Sequence, residues 1–123
     1  MREIKFRAWD KQYKEMVKVT MMLLNCNPIE IDHDKNNGEP KSIENFELMQ
    51  LTERMDENGV NIYEGDVVID YSDKILVVEW NDDTCKFQFS DGTDINDGDR
   101  YGASVLVIGN IYEHPELLEV KNG

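Results

Sequence analysis

The chain has 123 residues, 40% hydrophobic and 9% aromatic, which is enough for one small core and too apolar for a disordered segment. Its formal net charge is −13, unevenly spread: residues 1–20 carry six basic and three acidic side chains, a net +3, and residues 21–123 the other seven basic and 23 acidic, a net −16. An acidic body repels a phosphate backbone, so direct nucleic-acid binding is not expected.

The longest apolar run, Met21-Met22-Leu23-Leu24, is far short of the roughly 20 residues of a membrane helix. Arg2, Lys5 and Arg7 are followed by Trp9-Asp10-Lys11 and not by an apolar stretch. No membrane association and no secretory leader are expected, and the expected location is the cytoplasm. Cys26 and Cys85 are the only cysteines, read as reduced thiols, and the absence of a Cys-x-x-Cys pair argues against structural zinc.

In chain order, Ile4-Lys5-Phe6-Arg7-Ala8-Trp9 alternates apolar and charged residues, the period of a half-buried strand. Asp10 to Lys14 reads as a polar turn, and Met16-Val17-Lys18-Val19 resumes the strand, giving a hairpin with a short loop. Lys5, Arg7 and Lys18 then share one face. With Lys11 they form the candidate interaction patch, weighed against the simpler role of lysine as a guard on an exposed strand. Ile29-Glu30-Ile31 suggests a short strand, followed by a mobile loop near 32–40. Ser42 to Met55 reads two ways. Ser42 can cap a helix with Ile43, Phe46 and Met49 on one face, while Phe46 to Thr52 also alternates as a strand.

Asp56-Glu57-Asn58-Gly59 and Tyr63-Glu64-Gly65-Asp66 are turn signals. Val67-Val68-Ile69, Ile75 to Trp80, Cys85 to Phe89 and Val105 to Tyr112 read as strands, and Pro115 opens a last helical turn. Short strands at this spacing indicate a small barrel or sandwich. Glu64-Gly65-Asp66-Val67 entering a strand looks like the start of an SH3-like barrel. The expected fold is mainly β: an SH3-like small barrel over 59–119, with a β-hairpin region, 1–58, packed on it. Its expected core is Val67, Ile69, Ile75, Val77, Trp80, Phe87, Phe89, Val105, Val107 and Ile111.

Tests for chemistry give little. An EF-hand calcium register started at Asp94 puts Gly98 at position 5 and Val105 at position 12, and neither side chain ligates. Asp32-His33-Asp34 alternates, so its histidine points away from its carboxylates. Asp66 is read as a turn cap and not as an acid or base. No nucleophile elbow or phosphate loop is present. Trp80, Phe87, Phe89 and Tyr112 resemble a base-stacking set but are bordered by Glu79, Asp82, Asp83 and Asp91, which favours core packing. No catalytic residue, metal or cofactor is assigned.

Three stretches carry a resemblance: Met1-Arg2-Glu3-Ile4-Lys5-Phe6-Arg7-Ala8-Trp9-Asp10, the run from Asp56-Glu57-Asn58-Gly59 through Ile62-Tyr63-Glu64-Gly65-Asp66-Val67-Val68, and Val107-Ile108-Gly109-Asn110-Ile111-Tyr112-Glu113. The chain resembles the YopX-like family of phage and prophage proteins, whose function is undefined. The resemblance favours a strand ending near Thr52, with a short helix around Ile43 still open. The family pattern tends to Thr-Gly where this chain has Thr52-Glu53, which leaves the turn geometry there open.

The function expected from these observations is a non-enzymatic, self-associating interaction module that binds an unknown host or phage protein. The alternative is an acidic protein that blocks a nucleic-acid-binding surface of a host protein. A metal-dependent enzyme using Asp94 or Asp97 ranks lowest.

Overall fold

The computed structural model describes residues 5–35, 38–95 and 105–120. Ile4, the Asn36-Asn37 part of the expected loop, and Asn96 to Asp99 of the calcium-loop test lie outside the described residues. The chain forms two compact units, Met1–Gln50 and Leu51–Gly123.

In the first unit, strands β1 (Phe6–Asp10), β2 (Glu15–Leu23), β3 (Glu30–His33), β4 (Lys41–Ser42) and the first half of β5 (Phe46–Met55) pair in the order β4-β3-β2-β1-β5. All pairings are antiparallel. Asp10 sets the β1–β2 turn, because its Oδ1 accepts the amides of Gln12 at 2.9 Å and Tyr13 at 3.1 Å. Lys14, at φ +57°, closes the loop by donating to Asp10 O at 2.8 Å. Ala8 pairs with Val17 and with Leu48, so alternation sends Ala8, Val17, Ile31 and Phe46 to one buried cluster. Val19, Ile43 and Leu48 pack against it.

Of the two readings of Ser42–Met55 the strand prevails from Phe46, so the helical face of Ile43, Phe46 and Met49 is not formed, and only the helix cap and a first turn remain. Ser42 Oγ accepts the Glu44 amide at 3.2 Å and caps a single 3-10 turn, Ile43–Asn45, before β5 begins. β5 then runs past Thr52 to Met55.

In the second unit, the end of β5 pairs with β6 (Asn61–Tyr63) through a bulge between Leu51 and Met55. Strands β7 (Asp66–Ile69), β8 (Ile75–Asn81), β9 (Lys86–Phe89) and β10 (Leu106–Asn110) form a sheet in the order β10-β7-β8-β9, and helix α1 (Glu116–Val120) follows. The mainly β class holds, as two antiparallel sheets. The SH3-like barrel does not: among the described residues no closed barrel is formed, and the four-stranded order is open. Each end of that order is flanked by a short segment of chain. Phe89 donates to Thr93 O at 2.8 Å and Ile95 to Phe87 O at 3.3 Å beside β9. Glu57 donates to Val105 O at 3.0 Å beside β10.

The core of this unit is Ile62, Val68, Leu76, Val78, Phe87, Phe89, Ile95 and Val105, with Val107 packed against it. Val67 is also fully buried. Ile69, Ile75, Val77 and Ile111 are only partly buried, against expectation. β8 is apolar at Ile75, Leu76, Val77 and Val78 in succession, so its sequence carries no phase, and the fold turns Leu76 and Val78 inward. Trp80 shares that phase but lies past the cluster, 41% exposed, with its ring edge-on to Phe87 at 5.0 Å.

Candidate functional site

The structure separates the expected basic patch. Arg7 and Lys18 are direct cross-strand partners on β1 and β2, so they share a face. Lys18 is exposed and Arg7 half-buried, while Lys5, also exposed, stands two residues before Arg7. Asp34 Oδ1 accepts the Lys18 backbone amide at 3.0 Å. Lys11 is elsewhere, in the hairpin turn, with its Nζ 3.7 Å from Glu47. Both side chains of that pair are about half exposed, which limits it to about 0–1 kcal/mol.

Sequence reasoning missed a second feature. The phase that buries Ala8, Val17 and Ile31 continues two residues on to Asp10, Glu15 and His33, and Lys41 is the cross-strand partner of Ile31. The apolar face of the first sheet therefore ends in a polar pocket of about 360 Å³, completed by Tyr13, Lys35 and Glu39. The segment read as a loop from Asp32 begins as strand: Asp32 and His33 end β3 and are buried. The His33 ring sits edge-on to Phe46 at 5.6 Å, and its Nδ1 accepts the Lys35 amide at 3.1 Å. Lys35 Nζ is 3.5 Å from Glu15 Oε2 and donates to Met16 O at 3.4 Å. Lys41 Nζ lies 4.9 Å from the centre of the Tyr13 ring, a cation–π contact. The signal was in the alternation, but only the non-local pairing of β1, β2, β3 and β4 brings these residues together.

The aspartates elsewhere act on the backbone. Asp66 is buried and accepts the Tyr63 amide at 2.8 Å, the turn role read from sequence. Asp70 Oδ1 accepts from the amides of Ser72 and Lys74 and from Ser72 Oγ. Asp56 Oδ1 accepts the amides of Asn58 and Val60, both at 2.9 Å. Burial alone would raise the pKa of Asp56 and Asp70, but these hydrogen bonds outweigh it and hold both below the usual carboxylate range. Such groups are poor proton donors near neutral pH.

Both cysteines are free thiols. Burial, with the charge and hydrogen bonding of Glu30, pushes the Cys26 thiol up, and its Sγ is 3.7 Å from Glu30 Oε1. Cys85 sits exposed in the β8–β9 turn at φ +55°. Among the described residues, no group of three His, Cys, Asp or Glu side chains is placed to hold a metal ion. No helix among them is long and apolar enough to cross a membrane.

This arrangement has known relatives. The chain is similar over 96% of its length to the crystal structure of protein EF1440 from Enterococcus faecalis, with 28% identity, a TM-score of 0.64 and 99% of that chain covered. No curated protein matches it. The family described as YopX protein matches residues 5–119, from the start of the described hairpin into the last helix. The chain belongs to the YopX family.

Proposed function

We propose that the protein is a non-enzymatic interaction module, encoded by a phage or prophage and acting in the cytoplasm of a bacterial host. It self-associates through the face of its N-terminal hairpin. One observation carries the reading: Asp10, Asp56, Asp66 and Asp70, which a reaction could use, are engaged by backbone amides. The Arg7–Lys18 pair lies on a strand face of a strongly acidic chain. A basic face and an acidic surface in one molecule are complementary between copies, and such charges steer association more than they strengthen it. Both ends of the four-stranded sheet are flanked by chain segments, which directs self-association to the hairpin.

Sedimentation equilibrium at low salt tests this. An oligomer is expected, weakened by salt and by Lys18→Glu. A single species at the monomer mass of 14.3 kDa across micromolar concentrations would overturn it. If the monomer instead captures a basic nucleic-acid-binding protein of the host, the second reading holds, in which the net −16 of residues 21–123 occupies that protein's binding surface.

A further inference from the structure

We infer that Asn58 is a site of spontaneous deamidation, and that the Asp56 turn sets how fast it reacts. Asn58 and Gly59 are both exposed in the turn between β5 and β6. Gly59 lies at φ +79°, and apart from its chain neighbours nothing stands within 4 Å of where its Cβ would be, so its backbone nitrogen is not crowded. Once that nitrogen loses its proton to base, it can attack Cγ of Asn58. The new N–Cγ bond forms, the bond from Cγ to the side-chain nitrogen breaks, and ammonia leaves with a proton from water. Water then opens the succinimide ring at either carbonyl. Opening at the former side-chain carbonyl leaves aspartate. Opening at the main-chain carbonyl leaves isoaspartate, with an extra carbon in the chain. In sum, water is taken up and ammonia released.

The turn holds that nitrogen back. The Gly59 amide donates to Asp56 O at 3.0 Å, and the amides on either side, of Asn58 and Val60, both donate to Asp56 Oδ1 at 2.9 Å. A nitrogen committed as a donor is a poor nucleophile, so reaction waits on local opening of the turn. Asn61 is also exposed, but the residue after it, Ile62, is branched, fully buried and held in β6. Exposure alone therefore does not make the site; the Asn-Gly step does. Either product adds a negative charge beside Asp56 and Glu57. Isoaspartate also lengthens a loop closed by Asp56 donating to Val60 O at 2.8 Å. From that loop Asp56 accepts the Val107 amide and Glu57 donates to Val105 O. Conversion thus loosens the hold of this turn on the start of β10.

Tryptic mapping by mass spectrometry tests the inference on the full chain, incubated folded and, in parallel, unfolded in guanidinium chloride, both in mildly alkaline buffer. Cleavage after Arg54 and Lys74 releases a peptide that holds Asn58 and Asn61 and separates them from the other Asn-Gly pairs, Asn37-Gly38 and Asn122-Gly123. Fragment ions should place conversion at Asn58 and not at Asn61 in both samples. The folded chain should convert at Asn58 about fivefold or more slowly than the unfolded one, the factor that about 1 kcal/mol of hydrogen bonding gives. Asp56→Ala should bring the folded rate toward the unfolded one, and if that variant does not fold, the comparison of the parent in its two states decides. No conversion at Asn58 in the folded chain while the unfolded chain converts would overturn the site. Equal rates in the two states would overturn control by the turn, and conversion at Asn61 matching that at Asn58 would overturn the role of Gly59.

Discussion

Asp56 and Val107 stand 51 residues apart in sequence, and Asp56 Oδ2 accepts the Val107 amide at 2.9 Å. The other oxygen of Asp56 holds the Asn58 and Val60 amides of its own turn. One carboxylate therefore shapes the turn after β5 and occupies a backbone donor of β10. Asp56→Ala strands three amides and should lower the free energy of unfolding by about 2–4 kcal/mol. Asp56→Asn keeps an acceptor for the turn but sets an amide group against Val107, and should cost about half as much. Urea titration measures both, and a loss below about 0.5 kcal/mol for the alanine variant would contradict the assignment.

Acid should weaken the fold through the same hydrogen bonds. Asp56 and Asp70 have folded pKa values below the usual carboxylate value. Their contribution is therefore fully present above the unfolded value of about 4 and is lost as pH falls through the lower folded value. Stability should be nearly level from neutral pH to about 5 and fall below about 4. Asp70→Asn should reduce the difference between urea midpoints measured at neutral pH and at about pH 3. Asp91 is also lowered, first by its hydrogen bonds with Thr93, whose amide it accepts at 3.0 Å, and then by Lys74 at 3.2 Å.

Glu53 occupies the β5 bulge at φ +72°, a conformation that costs a side-chain-bearing residue about 1–2 kcal/mol. Glu53→Gly should raise stability by about 0.5–1 kcal/mol, the strain relieved exceeding the added chain entropy of glycine. Thermal melting of the two proteins under identical conditions decides it. An unchanged or lower melting temperature would show that the contacts of the Glu53 side chain offset its backbone strain.

Gly109 is closed off on its side-chain side. A Cβ there would lie 2.7 Å from His114 Nδ1 and 2.9 Å from Leu117 Cδ1. The ring cannot easily yield, because His114 Nδ1 also accepts the Asn110 amide at 3.2 Å. Gly109→Ala should cost about 1–3 kcal/mol. His114→Ala in the same chain should recover part of that loss, a coupling that a double-mutant cycle reads directly. Fully additive losses would place the clash elsewhere.

The punctuation of the fold was legible in the sequence. Asp10, Asp56 and Asp66 announced turns by residue type, and the β1–β2 hairpin, the helical turn at Ile43 and the helix after Pro115 followed from short-range chemistry. The phase of β8 was not legible, because four apolar residues in succession erase the alternation that would set it. His114 packs over Gly109, a contact visible only once the chain turns back. The pocket was hidden for a related reason. Its residues come from β1, β2, β3, β4 and the segments beside them, and each looks like an ordinary exposed polar side chain until the strands are aligned.

The turn aspartates divide the chain's negative charge into two populations. Those of Asp10, Asp56, Asp66 and Asp70 are fixed by geometry, since each carboxylate is an acceptor that a neighbouring amide requires. Glu44, Glu47 and Glu57 stand exposed. Charge and stability can thus be altered separately. A variant drawn toward neutrality by Glu→Gln changes at these exposed sites would keep its turns, whereas the same number of charges removed at the aspartates would loosen the ends of several strands at once.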